Sequence, residues 1–81
     1  MIAKMRVLAV RAKEYDMTAK GGIKGVAYKC SLQEARGALP EIYKCTQEFA
    51  ERFANPELLE KFHEVNLEVH TFGDKASILV S

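Results

Sequence analysis

Val26-Ala-Tyr-Lys-Cys-Ser-Leu-Gln33 shows the clearest alternation of side chains in the sequence. Its even-numbered residues are apolar or aromatic, whereas its odd-numbered residues are small or polar. Because successive side chains of a strand point to opposite faces of a sheet, the pattern predicts a half-buried β-strand. Such a strand needs partners in the same sheet, and the segments on both sides of it supply them.

The segment that precedes this strand, residues 4–15, is rich in β-branched and apolar side chains. Strict alternation would place Val7 and Ala9 on one face, and Leu8 and Val10 on the other. The turn residues Asp, Thr and Gly are concentrated in residues 16–22, which predicts a loop between two antiparallel strands. The front of the chain is therefore predicted to be a β-hairpin.

A second hairpin is predicted at the other end of the chain. Residues 65–70 alternate between apolar and polar side chains, and Ala76 to Val80 form an apolar segment. Between them, Phe72-Gly-Asp-Lys75 offers a two-residue Gly-Asp turn, and Gly in the first central position suits the turns that match strand twist.

The middle of the chain, residues 38–54, fits two structures. Its apolar residues fall at helical spacing, yet Tyr43 and Cys45 could also share one face of a strand. The next element has a clearer signal, because Asn55-Pro-Glu57 combines an N-cap, a first-turn proline and a first-turn acid. We therefore predict a helix over residues 55–63.

Two fold classes follow, mainly β or α+β. If residues 40–50 form a strand, the chain is a compact OB-like five-stranded barrel with a helix before strand 4. If they form a helix, the order is ββααββ, with a single sheet and two helices. With 81 residues, the chain is long enough for one hydrophobic core, and we expect residues 1–81 to be a single domain.

Cysteine and histidine usage suggests neither disulfides nor a metal. Cys30 and Cys45 form no CxxC pair, and no secretory apolar segment precedes them, so we expect reduced thiols in the cytoplasm. These cysteines, His63 and His70 are scattered singly, whereas structural zinc ligands are usually paired in sequence. No apolar run approaches the length of a membrane span, so no membrane association is expected. Homo-oligomerisation remains as the expected stabilising factor for so small a domain.

Catalysis is not expected. Lys20-Gly-Gly-Ile-Lys-Gly25 lacks the spacing of a phosphate-binding loop, and it suits a hairpin loop instead. Cys45 has no histidine near it in sequence and is interpreted as a small buried hydrophobe. The sequence therefore predicts no enzyme, no catalytic residues and no cofactor.

The charge is distributed unevenly along the chain, although the net charge is only +1. Residues 1–30 hold seven basic and two acidic residues, a net charge of +5. Residues 31–81 hold five basic and nine acidic residues, a net charge of −4. A basic region on a near-neutral protein is typical of a surface that meets a polyanion, although solvated charged faces are also common.

The first hairpin combines this charge with aromatic side chains, as proteins that hold single-stranded nucleic acid do. Its candidate contacts are Arg11, Lys13, Tyr15, Lys20, Lys24 and Lys29. Phe72, beside the Gly-Asp turn, is a further candidate, either as a stacking residue or as an oligomer contact. Tyr28 shares the apolar parity of its strand and is assigned to the core.

Two segments resemble the small single-stranded-DNA-binding proteins of phages and plasmids of Gram-positive bacteria. They are Arg6-Val-Leu-Ala-Val-Arg-Ala-Lys-Glu-Tyr-Asp16 with the following Lys20-Gly-Gly-Ile-Lys-Gly-Val-Ala-Tyr28, and the closing hairpin from Val65 to Val80. The resemblance implies an OB-like barrel, a role in replication or recombination, frequent dimerisation, and strand contacts at Lys13, Tyr15, Lys20, Lys24 and Lys29. Residues 34–64 depart from the family pattern, because they are more acidic and more helical.

We therefore expect a non-catalytic protein that binds single-stranded DNA through its basic N-terminal hairpin. The alternative is a small protein–protein interaction module, such as a phage-type inhibitor or adaptor, that uses its acidic segment 57–64 or a sheet edge to bind a protein partner.

Overall fold

The computed structural model describes residues 1–81, except for the side chain of Phe72. The strands are β1 (Ile2–Asp16), β2 (Lys24–Gln33), β3 (Glu41–Cys45), β4 (Phe62–Phe72) and β5 (Lys75–Val80). A helix, α1 (Gln47–Arg52), follows β3, and two 3-10 turns cover Thr18–Lys20 and Pro56–Leu58.

The five strands close into a barrel in the order β1-β2-β3-β5-β4. All neighbouring strands are antiparallel except β3 and β5, which run parallel. The helix stands between β3 and β4 in the chain. The predicted OB-like five-stranded barrel with a helix before strand 4 is therefore confirmed, and the ββααββ alternative is wrong.

The ambiguous middle of the chain contains both structures in succession. Glu41–Cys45 is a strand, and α1 begins directly after Thr46, whose side-chain oxygen accepts a hydrogen bond from the Phe49 amide at 3.2 Å. A hydroxyl at this position satisfies an amide that has no partner inside the helix. The N-cap therefore fixes the point at which the strand gives way to the helix.

The predicted helix over residues 55–63 is wrong. Asn55 does cap the Glu57 amide at 3.0 Å, but the capped segment is only the 3-10 turn Pro56–Leu58. Glu60 then takes a positive φ of 65°, and β4 begins at Phe62. Pairing of β4 with the start of β1 closes the barrel, and this long-range pairing overrides the local helical signal.

The core occupies the barrel interior and one covered end. Phe49 of α1 and Phe53, which directly follows α1, lie with ring centroids 4.6 Å apart and are almost fully buried. They pack in one cluster with strand residues from all sides of the barrel: Met5, Val7, Cys30, Leu32, Cys45, Val65 and Val80. The short helix and Phe53 thus cover one end of the barrel.

A β-bulge interrupts β1 between Val7 and Ala9. Val7 pairs with Leu32 and Ala9 with Ser31, so Leu8 is an extra residue without a partner in β2. Val7 is completely buried, Val10 packs against the core, and Ala9 is exposed. The strict alternation predicted for residues 7–10 is therefore wrong, because one inserted residue shifts the parity of every residue after it.

Beyond the bulge, the first hairpin leaves the barrel as a two-stranded arm, defined here as residues 11–28. Residues 11–16 of β1 pair only with residues 24–29 of β2, because β4 pairs with β1 only up to Arg6. Asp16 closes the arm tip by accepting hydrogen bonds from the amide and hydroxyl of Thr18 at 3.0 and 2.6 Å. Within the described residues, no helix is long and apolar enough to cross a membrane.

Both cysteine thiols lie inside the barrel, and this placement leads to a pH-dependent prediction. Burial raises the pKa of Cys30 from 9.0 to about 12, and burial also raises the pKa of Cys45. The folded state therefore holds these protons more tightly than the unfolded chain does. Their contribution to stability should be complete below pH 9 and should be lost as the pH rises towards 12.

We expect both thiols to resist iodoacetamide at pH 8 in the native protein and to react in urea. Mass spectrometry counts the labels, and urea unfolding at pH 8 and pH 10.5 compares the free energies of unfolding. Rapid native labelling of Cys30, or equal stability at the two pH values, would contradict the buried environment.

Candidate nucleic-acid interface

Three cationic side chains lie side by side where the base of the arm meets the outer face of the barrel. After the bulge, Arg11 of β1 is paired with Lys29 of β2, and Lys29 is paired with Lys44 of β3. Residues directly opposite each other in neighbouring strands point to the same face of a sheet. We call Arg11, Lys29 and Lys44 the cation row, and all three are exposed.

The cation row carries unneutralised charge. Like charges directly opposite each other destabilise a sheet, and opposite charges would relieve the repulsion. In the described part of the chain, the ion pairs are Lys24 with Asp16 at 3.8 Å and His70 with Glu68 at 3.3 Å, and neither includes the row. Its three charges are therefore available to an anionic partner.

On β1, β2 and β3, the face around the row carries more positive charge and no acidic residue. Glu68 of β4 lies further along the same line, beyond Leu79 of β5. Lys13 and Tyr15 share the parity of Arg11 on the arm, and Ile42 shares the parity of Lys44 on β3. Acidic residues of β1, β2 and β3 within this region, such as Glu14 and Glu41, have the opposite parity. The acidic segment 57–64 lies elsewhere, in the second 3-10 turn and the start of β4, and α1 carries further acidic residues.

A shallow depression of about 340 Å³ lies along this face, and we call it the outer groove. Its main lining side chains are Ala9, Arg11, Lys13, Lys29, Ser31 and Ile42. Small side chains make the floor, and cations with an aliphatic neighbour make the walls. This composition suits a phosphodiester backbone that carries aromatic bases.

Tyr15 provides the aromatic component of the arm. It is 40% exposed, and its partner in β2 is Gly25. A β-carbon added at Gly25 would overlap the ring and hydroxyl of Tyr15, so the ring lies directly over the glycine backbone. A ring fixed in this way loses little freedom on binding, and it can serve as a stacking platform.

Of the residues predicted to contact nucleic acid, the structure brings four together on one face: Arg11, Lys13, Tyr15 and Lys29. Lys24 pairs with Asp16 on the opposite face of the arm, and Lys20 lies in the 3-10 turn at the arm tip. The side chain of Phe72 lies outside the described residues. Tyr28 packs against the core cluster, as predicted.

Two residues of the interface, Ile42 and Lys44, were not predicted. Their strand was ambiguous in sequence, and a helical interpretation scatters them around a helix surface. As a strand, Glu41–Cys45 alternates with Ile42 and Lys44 on one parity, and the cross-strand register with Lys29 then follows. The alternation was the available signal, but five residues are too few to make it decisive.

His63 and both cysteines pack against the interior of the protein, whereas His70 is exposed and lies 3.3 Å from Glu68. The Nε2 atom of His63 lies 2.7 Å from the Leu58 carbonyl oxygen, and its ring packs edge-on against Phe53. Cys30 and Cys45 are free and buried. Among the described residues, no three His, Cys, Asp or Glu side chains form a group that could hold a metal ion.

No family model, curated protein or solved structure matches this chain. The resemblance to single-stranded-DNA-binding proteins of phages and plasmids therefore stays a prediction. The candidate interface consists of an exposed row of three cations, a groove beside it and a tyrosine platform on the arm.

The repulsion within the cation row gives a test of its geometry. Lys44→Gln should raise the free energy of unfolding by about 0.2–1 kcal/mol at low salt, because it removes a like-charge cross-strand pair. The gain should shrink in 0.5 M salt, where charges at exposed sites are screened. Urea unfolding at both salt concentrations measures the change.

Lys20→Gln at the arm tip is the matched control, and its stability should not change. A destabilised Lys44→Gln variant, or a gain that high salt leaves unaltered, would contradict direct repulsion between Lys29 and Lys44.

Proposed function

We propose that this protein binds single-stranded DNA along the outer groove, without catalysing a reaction. The observation that carries the proposal is the cation row, three like charges held in adjacent strands without acidic partners. A folded chain tolerates such repulsion at a cost in stability, and a bound polyanion relieves it.

The groove offers charged side chains to phosphates and apolar side chains to bases and sugars. Neighbouring strands are about 4.8 Å apart, so the row spans roughly 10 Å and can meet more than one phosphate. Lys13 extends the positive charge along the arm. Tyr15 and Ile42, which is 72% exposed, are available to bases and sugars. Such contacts favour any single strand and provide little sequence discrimination.

A duplex suits this surface less well than a single strand. The paired bases of a duplex are not available for stacking on Tyr15, whereas those of a single strand expose their faces. The proposal therefore includes a preference for unpaired nucleic acid, in which phosphates meet the row and bases meet the aromatic and aliphatic side chains.

The biological setting is a further part of the proposal. By its resemblance, the protein would act in the cytoplasm, in replication or recombination of phage or plasmid DNA, as a homodimer. Exposed apolar residues at the arm tip, such as Met17 and Ile23, support self-association because they are apolar surface without a partner in the described chain.

Anisotropy titration of a labelled dT oligonucleotide tests the proposal. Binding should weaken with salt at a slope of about −0.7 per neutralised phosphate, so Lys29→Gln/Lys44→Gln should flatten the slope by about 1.4. The same relation, extrapolated from 1 M salt to 20 mM, predicts a loss of affinity of roughly 15-fold per lost contact, or roughly 240-fold for the double variant.

Lys20→Gln/Lys24→Gln is the control, because it removes the same number of charges from outside the row. Its affinity should fall much less. Equal losses in the two double variants would indicate general charge attraction without a defined row. Absence of binding at 20 mM salt would refute the proposed function and favour a protein partner.

A further inference from the structure

A cleft opens in the barrel wall beside the cation row. The parallel pairing of β3 with β5 covers only two residue pairs, Lys44 with Leu79 and Cys45 with Val80. Before these pairs, the two strands separate. The resulting cleft is open to solvent and has a volume of about 460 Å³. Its lining includes Ile42, Lys44, Val69, Ala76, Ser77 and Ile78.

The cleft combines apolar walls with free backbone groups. On the sides that face it, the edges of residues 41–43 and 75–78 pair with no strand in the described part of the chain. Each edge presents amide and carbonyl groups in fixed positions. A flat heterocycle with apolar faces and a hydrogen-bonding rim is the ligand that matches both features, and a nucleobase has this chemistry.

The cleft and the outer groove are continuous. Ile42 lines both depressions, and Lys44 belongs to the cation row while it also lines the cleft. A strand whose phosphates lie on the row therefore passes the cleft entrance. The open edge of β3 is only three residues long, which is short for the addition of a peptide strand.

Tyr43 gives the cleft a neutral aromatic side chain. Its hydroxyl donates a hydrogen bond to Oε2 of Glu41 at 2.6 Å, and this hydrogen bond, followed by burial, raises the pKa of Tyr43 to about 12. The phenol therefore stays protonated at neutral pH, and the negative charge beside it is that of the Glu41 carboxylate. Val69, across the cleft, is 66% exposed and offers an apolar surface to a ring.

We propose that this cleft is a nucleobase slot: one base of the bound strand turns out of the groove and enters between β3 and β5. The proposal rests on the proposed function, since the row holds the strand that delivers the base. Such a slot allows the protein to distinguish a nucleic acid from other polyanions, because only a nucleic acid carries bases at the required positions.

Ala76→Phe should fill the slot, because Ala76 is exposed on the cleft side of β5. Val69→Glu is a second variant, and it places a negative charge at the wall without altering the core. Ala54→Phe, at an exposed position after α1, is the matched control. Circular dichroism and urea midpoints establish that each variant is folded.

Anisotropy titrations would use a dT 12-mer and an abasic sugar–phosphate 12-mer. The unmodified protein should prefer dT, and both slot variants should lose roughly five- to hundredfold in dT affinity, the range for one well-held base. Affinity for the abasic strand should stay unchanged with Ala76→Phe, whereas Ala54→Phe should retain the full preference for dT.

The outcomes separate the two proposals. If the unmodified protein binds both oligomers equally with a strong salt dependence, or if folded Ala76→Phe and Val69→Glu keep the full dT preference, the slot is refuted while strand binding stands. If neither oligomer binds at 20 mM salt, strand binding fails and the slot fails with it.

Discussion

The β-bulge at Leu8 is the constraint on which the candidate interface depends. Before it, Val7 points into the barrel, and strict alternation would send Arg11 inward as well. The one extra residue reverses the parity, so Val10 faces the core and Arg11 comes into line with Lys29 and Lys44. A strand has a period of two, and a single insertion therefore moves every later side chain to the other face. The bulge lets one strand both close the barrel and present the arm.

Much of the fold was predictable because its signals are local. The alternation in residues 26–33 and the turn around Gly73 set two hairpins, and both are present. The extent of the middle elements was not predictable, because Glu41–Cys45 is short and α1 follows it after one residue. Asn55 does cap a helical turn, but only a 3-10 turn forms. The chain from Phe62 onward is a strand instead, because it pairs with β1. Closure of the barrel depends on pairing between strands that are distant in sequence, and local sequence patterns do not indicate it.

The candidate interface was predictable in its charge but not in its geometry. The front of the chain is basic in any arrangement, but sequence alone did not show that Lys24 and Lys13 occupy opposite faces of the arm. Lys44 was missed, because its role depends on the register between β2 and β3. The row keeps three cations adjacent despite their repulsion, and the neighbouring cleft leaves strand edges open. Both features depart from what stability alone favours, and such departures are typical of functional sites.

Mapping the bound strand by nuclear magnetic resonance is the most direct test of this account. The ¹⁵N-labelled protein would be titrated with an unlabelled dT oligonucleotide at 20 mM salt. We expect amide shift changes in residues 9–15, 27–31 and 42–44, with α1 and the start of β4 unaffected. Shift changes centred on α1 and the acidic segment, or none at saturating oligonucleotide, would contradict the outer groove as the binding surface.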